Sequence, residues 1–289
     1  NQAQCLQEQL HSLQGFPGDK ADLEFVVVDD ASDDDLQTVL VEYRKAGWCV
    51  TDFRQESNAG RAPTLARGVR NARGYFVLIM DGDDLFYKEG LTLAVSTLNL
   101  LDHGNSGLVC STVLDNYHSA LYLNSVPDKM ECSLLSLRAD HRIKGDLKEI
   151  VPRKHLVDAL CPLFEKYRRV PTSLLWARLS NKITIRCIAA PLARKKYLPG
   201  GMSSEIDYLR SKNIIPLIAT YKEVAESKSY WSMTYRWRAL INYHRFIVRA
   251  REGKSRAIFT SLGIPALIGF TIGLFENINS FLSARDRYK

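Results

Sequence analysis

Two apolar runs that each end in a group of aspartates constrain the fold of this chain most. Phe25-Val26-Val27-Val28 leads into Asp29 and Asp30, and residues 75–80 lead into Asp81. Short runs of β-branched and aromatic residues without polar alternation are typical of strands buried on both faces, as in a parallel sheet. The sequence therefore predicts two central strands with carboxylates at their carboxyl ends.

Helical patterns separate these strands. Apolar residues recur at helical spacing near the start of the chain, and Ser32 with Asp35 three residues later has the spacing of a helix N-cap. We predict helices over 1–13, 32–45, 63–72, 91–101 and 174–179, and strands over 24–30, 48–53, 75–80, 107–113 and 182–189. Alternating strands and helices are typical of an open α/β sheet, which binds ligands at the carboxyl ends of its strands.

Charge is distributed unevenly along the chain. The net charge of +7 combines −10 over residues 1–135 with +17 over residues 136–289. An acidic half suits bound cations, and a basic half suits an anionic surface. The six cysteines are scattered without a CxxC pair, which argues against a disulfide framework or a zinc site and indicates a reducing, cytoplasmic compartment.

The acidic groups are the candidate functional residues. Asp81, Asp83 and Asp84 repel one another, so a divalent cation at the end of the strand would hold them close; the alternative is a solvated turn that caps the next helix. Asp29 and Asp30 either cap the following helix or accept hydrogen bonds from a nucleobase or ribose. Arg61 either contacts a phosphate or is an exposed surface arginine.

The C-terminal part is basic and aromatic. Residues 230–256 mix tryptophan and tyrosine with arginine, and residues 257–275 carry no charge but contain three glycines and a proline. We expect an amphipathic segment that lies on a membrane or enters one leaflet. A spanning helix and ordinary helical packing are the alternatives.

The segment from Phe25 to Asp34 resembles the "IVVDDGSTD" motif of the family 2 glycosyltransferases, which have the GT-A fold. The resemblance continues without a gap through Asn58, Gly60, Gly68, Ala72 and Gly74 to Asp81-Gly82-Asp83-Asp84, on the family pattern "NxG…G…AxG…DxDD". Leu65 and Ala66 stand where the family carries a basic residue and an asparagine. The resemblance implies an α/β fold of the GT-A type, with a mostly parallel sheet flanked by helices, that uses a nucleoside-diphosphate sugar.

The resemblance also assigns roles to residues. Asp30 is similar to the acid that binds the base, and Asp81 and Asp83 fall on the metal motif for Mg²⁺ or Mn²⁺, with Asp83 the direct ligand and Asp84 structural. The nucleotide site would comprise six residues: Asp29, Asp30, Asn58, Gly60, Arg61 and Asp81.

The family position of the general base is occupied by Thr172, in a segment that resembles the "ED…LWxRL" helix. A threonine cannot take a proton from an acceptor hydroxyl at neutral pH. The nearest acidic substitutes in sequence are Asp146, Glu149, Glu165 and Glu205, and Asp146 is the candidate base that we select.

Three parts are expected. Residues 1–115 form the nucleotide-sugar-binding half, from which the first strand of the family is missing; residues 116–225 form the acceptor half, and residues 226–289 form a helical membrane-associating tail. Within this tail, the segment Asn279-Ser280-Phe281-Leu282-Ser283-Ala284-Arg285-Asp286-Arg287 resembles the tails of bacterial members that build surface polysaccharides on a lipid carrier. It suggests a lipid-linked or lipopolysaccharide-type acceptor and a peripheral position on the cytoplasmic face of the inner membrane, where residues 230–289 would meet anionic lipid.

The predicted function is therefore metal-dependent sugar transfer, with inversion. The alternative is a non-catalytic scaffold at the membrane, because Thr172 replaces the base. A phosphatase of the haloacid dehalogenase type would leave the Asp29-Asp30 and Asn58-Gly60 motifs unexplained. A nucleic-acid binder is disfavoured because the basic residues mingle with long apolar runs.

Overall fold

Strands and covering helices alternate along the chain, as in the α/β class that the sequence predicts. The computed structural model describes residues 2–102, 104–115, 121–196, 213–250 and 263–274. The strands are β1 (Glu24–Asp29), β2 (Cys49–Arg54), β3 (Phe76–Leu78), β4 (Asp84–Phe86), β5 (Ser106–Asp115), β6 (Leu121–Asn124), β7 (Glu131–Cys132), β8 (Lys148–Pro152) and β9 (Thr184–Lys196).

The helices cover these strands or pack at the C-terminal end. They are α1 (Ala3–Ser12), α2 (Leu36–Lys45), α3 (Arg61–Asn71), α4 (Lys88–Leu98), α5 (Leu134–Ala139), α6 (Arg153–Ala159), α7 (Leu163–Lys166), α8 (Ser173–Leu179), α9 (Ile214–Glu226), α10 (Met233–Arg249) and α11 (264–274). A short 3₁₀ turn over Lys20–Asp22 precedes β1.

The strands form two sheets. β1 and β2 pair in parallel, with Glu24 opposite Cys49 and Asp29 opposite Arg54. The second sheet has the order β3-β8-β5-β9-β4, with β6 on β5 and β7 on β9. In it β5 and β9 are parallel, whereas β8 is antiparallel to both β3 and β5. β3 and β5 therefore run in the same direction. β8 begins at the end of the sheet where β3 ends.

The hydrophobic core lies on both faces of the larger sheet. Successive residues of a strand point to opposite faces. Accordingly Leu108 and Cys110 of β5 belong to the cluster under α1, α2 and α4, whereas Val109 belongs to the cluster under α3, α6 and α8. A third cluster joins α9 and α10 to α5 and α8. The two main clusters fix the positions of α3 and α8, which carry residues of the candidate site.

Most predicted elements of the N-terminal half are confirmed to within a few residues, but the predicted cap of α2 is wrong. The N-cap is Asp35, whose carboxylate accepts a hydrogen bond from the backbone N–H of Thr38 at 3.1 Å. Ser32 instead donates its backbone N–H to Asp29 at 2.9 Å. The Asp29 side chain holds the chain in a turn at Ser32, so the helix begins four residues later.

The C-terminal helices α10 and α11 pack closely against each other. A Cβ atom on Gly269 would lie 2.3 Å from the carbonyl oxygen of Ile241, and one on Gly273 would lie 2.7 Å from that of Arg245. Within the described ranges, no helix has both the length and the apolar character required to cross a membrane. The described part of the uncharged run is therefore a helix packed on its neighbour along a glycine stripe.

Candidate functional site

The two acidic groups line the same cleft. Asp30 follows β1, Asp83 lies between β3 and β4, and both contribute to a cavity of about 2890 Å³ that also receives Arg61, Asp146 and Thr172. These residues come from separate parts of the sequence, and the fold brings them to one opening. The cleft is therefore the candidate site, and the predicted residues named here all reach it.

Asp30 fixes the turn before α3. Its two carboxylate oxygens accept the backbone N–H groups of Ala59 at 2.7 Å and of Gly60 at 2.8 Å. Gly60 has a φ of 97°, and a Cβ atom there would lie 2.6 Å from the carbonyl oxygen of Arg168. The Arg168 guanidinium in turn donates to the carbonyl and side-chain oxygens of Asn58. Asp30, Asn58 and Gly60 therefore join the end of β1 to the segment that leads to α8.

Asp29 is engaged within the protein. It is 7% exposed, and its carboxylate accepts the backbone N–H of Ser32 at 2.9 Å and the Arg54 guanidinium at 2.8 Å. This arrangement matches the capping alternative for Asp29. A role in nucleotide binding stays a prediction for this residue.

A network of alternating charges surrounds the turn after β3. Arg61 lies 3.0 Å from Asp81, and Lys148 lies 2.5 Å from the buried carboxylate of Asp84. Lys195 of β9 lies 3.8 Å from Asp81 and 4.0 Å from Asp84. Burial raises the pKa of Asp81, but Arg61, Lys148 and Lys195 outweigh burial and hold it below its usual value. Asp81 and Asp84 are therefore balanced by cations of the protein itself.

Asp83 is the third carboxylate of this turn, and its pKa is raised above its usual value. Burial raises its pKa, and the neighbouring carboxylates of Asp84 and Asp81 raise it further, despite an opposing effect of Lys195. Among the described residues, no three His, Cys, Asp or Glu side chains converge to hold a metal ion. Mg²⁺, however, is commonly held by one or two carboxylates together with substrate phosphates. The oxygen donors of Asp83 and Asp81 fit that mode of binding.

Thr172 is the residue that the resemblance places at the family position of the general base. It precedes α8 and lines the cleft, and its side chain makes no capping hydrogen bond. Asp146, the candidate base selected from the sequence, also lines the cleft, but its side chain is 60% exposed and pairs with Lys195 at 3.1 Å. Its assignment as base stays a prediction.

The other acidic substitutes for Thr172 differ in their surroundings. Glu165 is outside the residues that line the cleft and pairs with Arg70 at 2.5 Å. Glu205 falls outside the described residues. Glu149 lines the cleft with only 11% of its side chain exposed, 3.7 Å from Arg138. Burial raises the pKa of Glu149 to about 7, with Arg138 and Lys148 opposing this effect and Asp146 adding to it.

Sequence reasoning missed the cations that complete the site. Lys148 and Lys195 lie on β8 and β9, 64 and 111 positions after Asp84, so no local spacing connects them to the acidic turn. The available signal was Lys148 at the first position of β8 and Lys195 near the end of β9. Residues 197–203, predicted as a loop, lie outside the described residues.

Comparisons with known proteins agree with the resemblance. Residues 1–143 match the model of glycosyl transferase family 2. An uncharacterized glycosyltransferase of Rickettsia typhi is 29% identical over 101 residues, which cover 35% of this chain and 30% of that protein. The chain thus matches less than a third of the length of this curated relative.

Solved structures show the fold. Residues 1–349 of S. aureus TarS superpose with a TM-score of 0.63 at 18% identity, covering 94% of this chain and 76% of that one. A mannosyltransferase of Pyrobaculum calidifontis, PcManGT, solved with GDP-Man and Mn²⁺, gives a TM-score of 0.52 at 18% identity, covering 96% and 78%. TarS in complex with UDP-GlcNAc gives 0.61 at 19%, covering 89% and 72%. These likenesses show the GT-A fold, and residues 1–143, just under half of the chain, are similar to glycosyl transferase family 2.

Proposed function

We propose that this chain transfers a sugar from a nucleoside-diphosphate donor to an acceptor hydroxyl. The observation that carries the proposal is the shared cleft, in which the Asp30 turn and the acidic turn of Asp81 and Asp83 face one opening. The base and ribose would lie beside Asp30, Asn58 and Gly60. The diphosphate would lie near Arg61, whose guanidinium suits phosphate oxygens. The UDP-GlcNAc and GDP-Man of the solved relatives support this class of donor.

A divalent cation, Mg²⁺ or Mn²⁺, would be held by Asp83 and Asp81 together with the donor diphosphate. It would neutralise charge that develops on the leaving diphosphate. Protein cations already balance Asp81 and Asp84, so Asp83 is the carboxylate with charge left to neutralise. The Mn²⁺ in the PcManGT complex supports the use of a divalent cation.

We further propose that the acceptor is lipid-linked or of the lipopolysaccharide type, at the cytoplasmic face of the inner membrane. Trp231, just before α10, is 78% exposed, and Met233 and Trp237 in the first turns of α10 are 61% and 42% exposed. On α11, Ile264 and Leu267 are 63% and 69% exposed. Exposed tryptophan and aliphatic side chains beside arginines are typical of helices that lie in a membrane interface. Residues 251–262 and 275–289 of this basic tail lie outside the described residues.

A non-catalytic scaffold remains the second candidate, because Thr172 occupies the family position of the base. An inverting transfer needs a group that accepts the proton of the attacking hydroxyl. Turnover of a bound donor by the purified chain distinguishes the two functions. A scaffold would bind the nucleotide and leave the sugar attached.

The test is a thermal-shift screen of UDP- and GDP-sugars with and without Mn²⁺. A ligand that binds the native state raises the melting temperature by mass action, by an amount equivalent to about 2.7 kcal/mol at a hundredfold excess over the Kd. We expect stabilisation by at least one nucleotide sugar that requires Mn²⁺ or Mg²⁺. If no nucleotide sugar changes the melting temperature under either condition, the proposed function is wrong.

A further inference from the structure

We propose that Glu149 is the general base that takes the proton of the acceptor hydroxyl, in place of the carboxylate that Thr172 lacks. This inference rests on the proposed transferase function. It assigns the catalytic proton acceptor to β8, which lies between β3 and β5 in the larger sheet, rather than to the start of α8.

Successive side chains of β8 point to opposite faces of the sheet, and Glu149 lies on the face that α8 covers. Val151, two residues later in the same strand, belongs to the hydrophobic cluster under α3, α6 and α8. Val109, the residue paired with Glu149 across the β5–β8 ladder, belongs to the same cluster. Paired residues and residues two apart share a face of a sheet. Glu149 therefore lies on the same side of the sheet as the helix that Thr172 precedes.

The opposite face of β8 is occupied by the charge network. Lys148 binds Asp84 at 2.5 Å, and Ile150 belongs to the cluster under α1, α2 and α4. The strand thus presents a cation to the acidic turn from one residue and a carboxylate to the α8 side from the next. Both Lys148 and Glu149 line the cleft.

The surroundings of Glu149 suit a proton acceptor. Three charged groups affect its pKa: Arg138 of α5, Lys148 of its own strand and Asp146 of the preceding loop. The Glu149 charge in turn raises the pKa of the Cys110 thiol of β5. Arg138 stands 3.7 Å away, beyond hydrogen-bond length, so the carboxylate oxygen is not bound by a direct guanidinium hydrogen bond. A catalytic base is most effective when its pKa lies near the operating pH, and burial raises that of Glu149 to about 7.

Asp146 is a weaker choice for the same task. Its carboxylate pairs with Lys195 at 3.1 Å and is 60% exposed, so both a cation and water stabilise its ionised form. Glu165 pairs with Arg70 outside the lining of the cleft. Among the acidic substitutes within the described ranges, Glu149 combines access to the cleft with a buried environment.

The proposed transfer is a single displacement, in which one bond forms at the anomeric carbon as another breaks. The acceptor O–H proton passes to a Glu149 carboxylate oxygen, and the acceptor oxygen forms a bond to the anomeric carbon of the donor sugar. The bond from that carbon to the diphosphate oxygen breaks, and its electron pair leaves on the diphosphate. With water as acceptor, the same step hydrolyses the donor.

The experiment measures nucleoside-diphosphate release from UDP- and GDP-sugars in Mn²⁺ by the purified full chain, with water as the acceptor probe. Glu149→Gln keeps the size of the side chain and removes the proton acceptor. We expect kcat to fall about 100-fold or more, the usual range for loss of a general base, with the Kd for the nucleotide changed less than twofold. The pH dependence of wild-type kcat near 7 should be absent from the residual rate of the variant, and Glu149→Asp should recover part of kcat.

Glu165→Gln is the matched control, because it removes an equivalent carboxylate outside the cleft and should leave kcat unchanged. If Glu149→Gln retains wild-type kcat and pH profile, or if wild type binds a donor but releases nucleoside diphosphate no faster than this variant, the assignment of Glu149 is overturned. Loss of kcat in Asp146→Asn with full rate in Glu149→Gln would overturn it in favour of Asp146. Absence of nucleotide binding by wild type would instead contradict the proposed function as a whole.

Discussion

The guanidinium of Arg61 lies 3.0 Å from the carboxylate of Asp81. Arg61 is the first residue of α3, directly after the turn that Asp30 holds, and Asp81 follows β3. This ion pair joins the two motifs that are separated by 20 residues in the sequence. The pair brings the predicted base-binding and metal-binding sides of the site into contact.

Lys148 should be the most sensitive position for stability in the charge network. Lys148 and Asp84 are 6% and 1% exposed and 2.5 Å apart. Removing one partner of a buried ion pair leaves an uncompensated buried charge and costs roughly 3–5 kcal/mol. We expect Lys148→Met to lower the free energy of unfolding in urea by this amount, and Asp84→Asn in the same chain to restore a large part of it. Equal stability of wild type and Lys148→Met would contradict the ion pair.

Asp30→Ala should loosen the turn before α3. The carboxylate accepts two backbone N–H groups, and hydrogen bonds to charged groups contribute about 1.5–3 kcal/mol each. We expect the free energy of unfolding to fall by about 2–4 kcal/mol and nucleotide affinity to fall with it. Asp35→Ala, which removes the exposed N-cap of α2, is the matched control and should cost about 1 kcal/mol without a change in nucleotide affinity. A larger loss of affinity in the control would argue against the role of Asp30.

The pH dependence of stability should report the state of Glu149. The pKa of Glu149 is about 7 in the folded protein against an ordinary value of 4.5, so the native state holds this proton more tightly than the unfolded chain does. The stability that this group contributes is complete below 4.5 and is lost as the pH rises through about 7. A shift of this size corresponds to roughly 3 kcal/mol.

Glu149→Gln removes this dependence. We expect the variant to gain stability relative to wild type between about pH 5 and about pH 8, by up to roughly 3 kcal/mol, measured by urea unfolding at each pH. Glu165→Gln, at an exposed ion pair, should follow wild type throughout. If the difference in the free energy of unfolding between Glu149→Gln and wild type is constant across this range, the pKa of Glu149 is not raised in the folded protein.

Membrane association should depend on the exposed tryptophans of the C-terminal part. Replacing Trp231 and Trp237 with serine should weaken binding to anionic phospholipid vesicles at least tenfold, or about 1.4 kcal/mol, in a flotation assay. Leu100, which is 83% exposed after α4, supplies the control, since Leu100→Ser should bind vesicles as wild type does. Undiminished binding by the double tryptophan variant would contradict the proposed membrane surface.

The N-terminal half of the fold follows from local patterns. The runs that became β1 and β3 are apolar and end in acids, and the helix periods of α1 and α2 are regular, so their positions could be predicted within a few residues. The stretch from about residue 114 to 170 gave little signal, because β7, α5, β8, α6 and α7 are two to seven residues long and too short to show a period.

The candidate site could also be predicted only in part. Asp30, Asn58, Gly60 and Asp81 could be named because they stand in continuous motifs, and their roles in nucleotide and metal binding remain predictions. Lys195 could not be named, because its contact with Asp81 depends on the pairing of β4 with β9 across more than 100 residues. Glu149 differs from the other candidate acids in its burial and its access to the cleft, and the sequence of β8 reveals neither.

Calorimetric titration of UDP and GDP into wild type and Asp83→Ala, with Mn²⁺ and then with EDTA, tests the central claim most directly. We predict that wild type binds one of the two nucleotides in Mn²⁺ and loses at least tenfold in affinity in EDTA. The Asp83→Ala protein should bind in Mn²⁺ no better than wild type does in EDTA, whereas Glu56→Ala, at an exposed acid, should match wild type. Equal affinity of wild type and Asp83→Ala in Mn²⁺ would contradict a metal-bridged diphosphate at this turn.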